Sequence, residues 1–290
     1  MTSVAPASTA VAAPALVLPM PDEPPAADCG AEACDERLRV ALAALRDSAA
    51  GHPPIAFQPP ADEVSRVRYR WLVGHHAAFT VWQSLAGGLR ALAAAPEAAV
   101  SSLTTGAAAL YDTYSVLLLY AGSCTPELYG AMLRPHMTTT HPAFSGQWSR
   151  DHASVPAALR AVRDRHAPAR IAPLSRAVKD NRRVHMAVAA KLVPGGASLL
   201  QQSGRRPSQR PTEDEQALYD THFRVQRQPL CRTAQHTQLI RLLGQCAADI
   251  AGHGLGSAPD GCPEHFTQNA LELLTAPALT EILLPRSTAH

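Results

Sequence analysis

The stretch from Arg68 to Arg90, RYRWLVGHHAAFTVWQSLAGGLR, sets the strongest constraint on the fold. Leu72, His76, Phe79 and Gln83 recur at helical spacing, and so do Trp71, His75, Ala78 and Trp82. The pattern predicts a long helix, opened by the acids Asp62 and Glu63 at its positive end, with two adjacent histidines in an apolar setting. Neighbouring helical positions point about 100° apart, so at most one of the two rings looks straight into a given pocket. The plain alternative for either is a core histidine whose ring is satisfied by its neighbours.

The rest of the chain reads the same way. Helical periods or start signals predict elements over residues 36–48, 101–120, 126–133, 156–165, 174–192, 212–225, 229–250 and 263–274. Thr125-Pro126-Glu127 and the capping box Thr212 to Glu215 are clear helix starts. No two strand runs flank a turn, so the expected fold class is all-α. The Pro- and Ala-rich residues 1–27 have no period and are expected to be disordered. Residues 1–60 therefore read as a tail carrying one short amphipathic helix, with Leu38, Ala41, Leu42 and Leu45 on its apolar stripe, and residues 61–290 as one domain. Residues 135–151 have neither period, a composition usual for segments that line sites or move.

Composition excludes several classes. The formal charge is only +2, and lysine occurs only at Lys179 and Lys191, without the interleaved aromatic and basic runs of nucleic-acid binders. No apolar run reaches membrane-spanning length, and no basic segment precedes an apolar stretch at the start as in a secretory signal. The six cysteines lack Cys-x-x-Cys spacing and read as reduced thiols in a cytoplasmic protein.

Three motifs carry chemistry, and together they resemble the haem-dependent aromatic oxygenases, the tryptophan 2,3-dioxygenase-like superfamily. His76-Ala-Ala78-Phe-Thr-Val-Trp82, behind the apolar Leu72-Val73, is similar to that superfamily's distal-histidine helix. Phe144-Ser-Gly-Gln-Trp-Ser-Arg150 resembles the segment whose arginine clamps the substrate carboxylate, a role for which a guanidinium fork is suited. Asn181-Arg182-Arg183-Val184-His185, followed by Gly195-Gly196-Ala197-Ser198, is similar to the region of the proximal, haem-ligating histidine. The resemblance covers roughly residues 61–200 and implies a helical bundle around a haem.

Carried onto this sequence, the resemblance gives His185 as iron ligand, with Arg182, Arg183 and Trp82 also against the cofactor. It gives His76 as general acid and base, and Arg150, with Arg134 in reserve, as carboxylate anchor. Leu72, Phe79 and Ser198 would complete the substrate pocket. Either arginine could instead pair with a surface acid. Ala77 stands where tryptophan dioxygenases have glutamine, and the glycine loop is shortened, which favours the tyrosine 3-hydroxylase branch. The expected activity is then conversion of L-tyrosine to L-DOPA with hydrogen peroxide, in natural-product biosynthesis. No histidine is followed at the fourth position by cysteine, so the haem is expected to be non-covalent haem b. Such proteins are homo-oligomers, and the helix over 36–48 is a candidate for the subunit contact or, equally, for docking on its own core. The competing readings are an indole or tryptophan dioxygenase using molecular oxygen, and a helical interaction module without enzymatic activity.

Overall fold

A computed structural model describes residues 15–23, 26, 31–206 and 209–276. Helices dominate it, as the periodicity predicts. Helix α1 spans Ala31–Ala49, α2 Glu63–Ala93, α3 Glu97–Ala121, α6 Arg150–Arg165, α7 Ala172–Leu192 and α10 Arg232–His253. Shorter pieces are α4 Pro126–Leu128, α5 Arg134–Thr140, α8 Leu199–Gln202, α9 Glu213–His222, α11 His265–Gln268 and α12 Ala270–Leu274.

Helix α2 is the axis. Asp62 caps it by accepting a hydrogen bond from the Ser65 amide at 2.8 Å, and Val73, Ala77, Phe79, Val81, Leu85 and Leu89 are buried along it. A helix buried on so many sides needs several partners, and α2 has α3, α6 and α10. Outside this set, α7 packs on α3 and α1 packs on α10. Small residues bring the helices close: a Cβ on Gly122 would stand 2.5 Å from Val188 Cγ1, and one on Gly244 2.5 Å from Phe57. A buried ion pair crosses the centre. Arg70 of α2 binds Asp249 of α10 through Nε at 2.7 Å and Nη2 at 2.8 Å, and the Tyr120 hydroxyl of α3 donates to the same carboxylate at 3.0 Å. Such a pair orients three helices at once, because either partner alone would be a buried, uncompensated charge.

The structure corrects several expectations. The tail is not disordered throughout: Leu16–Leu18 forms strand β1, parallel to β2 at Val225–Arg227, with Leu16 and Leu18 buried. Three residues are too few to display a period, and the pairing partner lies about 200 positions away. Helix α1 is longer than expected and docks on its own core through Leu38, Ala41, Leu42 and Leu45. The division at residue 60 therefore falls inside one continuous core. Residues 129–133 form a π turn that joins α4 to α5, in a stretch partly read as irregular. Helix α6 starts at Arg150, not at Pro156, because the Ser149 hydroxyl caps it and proline is tolerated within it. Cys34 is disulfide-bonded, against the all-reduced reading, while Cys124, Cys246 and Cys262 are free thiols. No helix among the described residues is long and apolar enough to cross a membrane.

Candidate functional site

The two adjacent histidines of α2 have different fates. The His76 ring is buried, and its Nε2–H donates to the carbonyl of Phe223 at 2.6 Å. His75 Nδ1–H donates to the carbonyl of Trp71 at 2.6 Å, leaving Nε2 with a lone pair. A carbonyl can only accept, so the pair is fixed in opposite tautomers. His75 stacks on Phe223 at 4.4 Å and lies 4.3 Å from Trp71. Burial pushes His75 down to about 3 and His76 to about 4, so both are neutral near pH 7.

The ring coupled to His185 is another one, His152. Helices α6 and α7 are joined by a short connection, and His152 and His185 each lie 13 positions from it, Arg165 to His152 and Ala172 to His185. At 1.5 Å per residue, each is about 20 Å along its own helix from the connection, with α6 packed on α2 and α7 on α3. The coupling is electrostatic: burial first, then the positive form of His185, lowers the pKa of His152. Burial likewise lowers His185. His185 is exposed on α7. Neither ring takes a hydrogen bond from the described residues.

Trp82 and Tyr114 adjoin His152. The Trp82 ring is edge-on to His152 at 5.0 Å and to Tyr114 at 5.3 Å, and its buried Nε1–H is directed at the Tyr114 hydroxyl. On the same side of α7 as His185, Met186 is 60% exposed, unusual for a large apolar side chain, and Arg182 is exposed without a partner among the described residues. Arg183 instead reaches Asp180 at 3.3 Å. Leu72 is half-buried, and Phe79 is fully buried in an aromatic cluster with Trp82, Tyr219 and Phe223.

The two candidate arginines also separate. Arg150 is taken up by acids, with Nη2 2.6 Å from Glu213, Nε 3.3 Å from Asp220 and Nη1 donating to Gln216 at 3.2 Å. Arg134 donates through Nη2 to the Ala197 carbonyl and Gln202, each at 3.0 Å, and also bonds the Tyr129 hydroxyl. It lines an open cavity of about 570 Å³ with Thr138, Thr139, Gln202 and Ser203. Ser198 caps α8, its hydroxyl accepting from the Gln201 amide at 3.3 Å.

The family model for SfmD 3-methyl-L-tyrosine peroxygenase matches residues 22–176, more than half of the chain. The chain belongs to the SfmD peroxygenase family. A search of curated proteins gives no match. The span shared with the SfmD family holds His75, His76, Trp82, Arg134, Arg150 and His152, whereas Arg182, Arg183, His185 and Ser198 lie beyond it.

Sequence reasoning did not single out His152, which the structure couples to His185, because it sits at the end of a stretch without a period. Counting 13 positions back from the α6–α7 connection would have found it. It also missed His222, whose Nδ1 lies 2.8 Å from Thr140 Oγ1 and whose ring lies 4.4 Å from Phe144. Burial holds His222 near 4.

Proposed function

We propose that this chain is a haem-dependent peroxygenase that hydroxylates L-tyrosine, or a ring-substituted tyrosine, at the ring carbon beside the phenol. With L-tyrosine the product is L-DOPA: one aromatic C–H and hydrogen peroxide give C–OH and water. Family membership supports peroxide as oxidant and a tyrosine derivative as substrate. The observation that carries the site is the electrostatic coupling of His152 to His185, which lie at equal distances along α6 and α7 from their connection.

The residues there fit a haem. An imidazole must be neutral to bind iron, and burial keeps both rings below their ordinary pKa. The exposed Met186 and Arg182 are an apolar face and a cation that a porphyrin with its propionates would engage. Ala189 stands at the fourth position after His185, so a non-covalent haem b is expected. When bound, the haem supplies the activation of peroxide.

His185 would hold the metal. His152 takes the place that the motif assigned to His76: its free ring nitrogen accepts a proton from peroxide or from the phenol and returns it. His76, with Nε2 committed to Phe223, is a structural histidine. Arg134, whose guanidinium is the less occupied, anchors the amino-acid carboxylate and so selects the ring carbon presented. Arg150 is withdrawn from that role by Glu213 and Asp220.

The test is to supply the purified full chain with haem, then peroxide and L-tyrosine. A Soret band and a product one oxygen heavier are expected, with His185→Ala losing the band. Absence of a Soret band after supplementation overturns the cofactor, and product only from oxygen with tryptophan overturns the reaction.

A further inference from the structure

Asp151, next to His152, is 1% exposed and belongs to a buried chain of charges that runs Arg150, Asp220, Arg227, Asp151. Arg227 of β2 is its centre. Its Nη1 and Nη2 donate to the two Asp151 oxygens at 2.9 Å each, and its Nε and Nη2 donate to Asp220 at 2.9 and 2.6 Å. The second Nη1 proton reaches the Pro19 carbonyl at 3.3 Å, so all five donors of the guanidinium are used. Gln83 of α2 adds a bond to Asp151 at 2.6 Å.

The first turn of α6 needs such support. Pro156 has no N–H, so the carbonyl of His152, four positions earlier, lacks its helical hydrogen bond. On the other side, the His152 amide has only the Ser149 cap, at 3.4 Å. Helical bonding thus holds His152 loosely, and side chains from β2 and α2 hold its neighbour tightly.

We propose that Arg227 is a positioning residue: by clamping Asp151 it fixes the first turn of α6 and hence the direction in which His152 presents its ring. That this direction matters for the cofactor rests on the function proposed above, but the clamp itself does not.

The experiment uses the full chain without cofactor and follows the nuclear Overhauser contact between the His152 ring and the Trp82 indole, which are 5.0 Å apart. Arg227→Met is expected to abolish the contact while helix content by circular dichroism is unchanged. Arg227→Lys, a point charge without a fork, is expected to restore it only in part. A contact retained at wild-type strength in Arg227→Met overturns the proposal. Should Arg227→Met fail to fold, Asp151→Asn decides by the same contact, lost if the clamp acts through Asp151 and kept if it does not. In haem-loaded protein, Arg227→Met is expected to reproduce the Soret shift of His152→Ala. A clamp verified by the ring contact but without any Soret shift in either variant overturns the role of His152 and leaves the clamp standing.

Discussion

His76 Nε2 lies 2.6 Å from the carbonyl oxygen of Phe223, which ties the middle of α2 to the turn that follows α9. Replacing this ring leaves a buried carbonyl without a donor, at a cost of about 1–3 kcal/mol. His76→Ala is therefore expected to lower stability in urea unfolding by that amount while haem uptake stays as in wild type. Normal stability with lost turnover would return His76 to catalysis.

The buried rings make stability acid-sensitive. His75 and His76 are held near 3 and 4 in the folded chain, against about 6.5 in the unfolded one. The unfolded chain therefore takes up protons as pH falls through about 6.5, while the folded chain does not until near 4. Stability from these groups is fully present above pH about 6.5 and is lost below it, at up to about 1.4 kcal/mol per pH unit per ring. Thermal unfolding between pH 7 and 4 is expected to show a falling midpoint, with a shallower slope in a His76→Asn variant.

Asp112 of α3 behaves with the opposite sign. Burial, then the charge of Asp180 on α7, raises it to about 6. An acid whose folded pKa is raised weakens the fold above that pKa and has no effect below the unfolded value of about 3.8. Asp112→Asn is expected to stabilise the protein by ~1 kcal/mol at pH 7, after discounting for solvent screening, and by nothing at pH 3.5. Denaturant midpoints at the two pH values check this.

Gly122 ends α3 where α7 crosses closest. A Cβ there would meet Val188 Cγ1 at 2.5 Å and the Leu118 carbonyl at 3.1 Å, and Val188 follows His185 by three positions. Gly122→Ala is expected to cost about 1–3 kcal/mol by overpacking and to weaken haem uptake by displacing α7. Gly87→Ala, with nothing within 4 Å of the added carbon, is expected to be neutral or slightly stabilising. Parallel haem titrations of the two variants provide the comparison.

The arginines should separate kinetically. Arg134→Ala is expected to raise KM for tyrosine about tenfold or more with little change in stability, as loss of a charge-assisted carboxylate contact implies. Arg150→Ala should destabilise the fold, since Asp220 would lose one of its two arginines. Steady-state kinetics and melting curves on both variants check the assignment, and a KM effect confined to Arg150 reverses it.

The long helices were readable because each repeats its apolar face over several turns: Leu174, Ala177, Val184 and Val188 on α7 are one such stripe, and all are buried. The caps at Asp62, Thr125 and Thr212 were equally local, and the structure has all three. What escaped depends on distance along the chain. The choice between His75, His76 and His152 turns on the Phe223 carbonyl, 147 positions from His76, and on the coupling between residues of two different helices, α6 and α7. The carboxylates that occupy Arg150 lie on α9, more than 60 positions later, so no local pattern identifies them.

Strand β1 has a consequence for how the molecule is made. Its partners at Val225–Arg227 are synthesised some 200 residues later, so Leu16–Leu18 leaves the ribosome with apolar side chains and open backbone groups that nothing yet covers. Closing a loop of that length is slow relative to forming the intervening helices. The seam joining β1 to β2 is thus a late event in folding, and the turn at Phe223 that secures His76 reaches its final form only after β2 has been made.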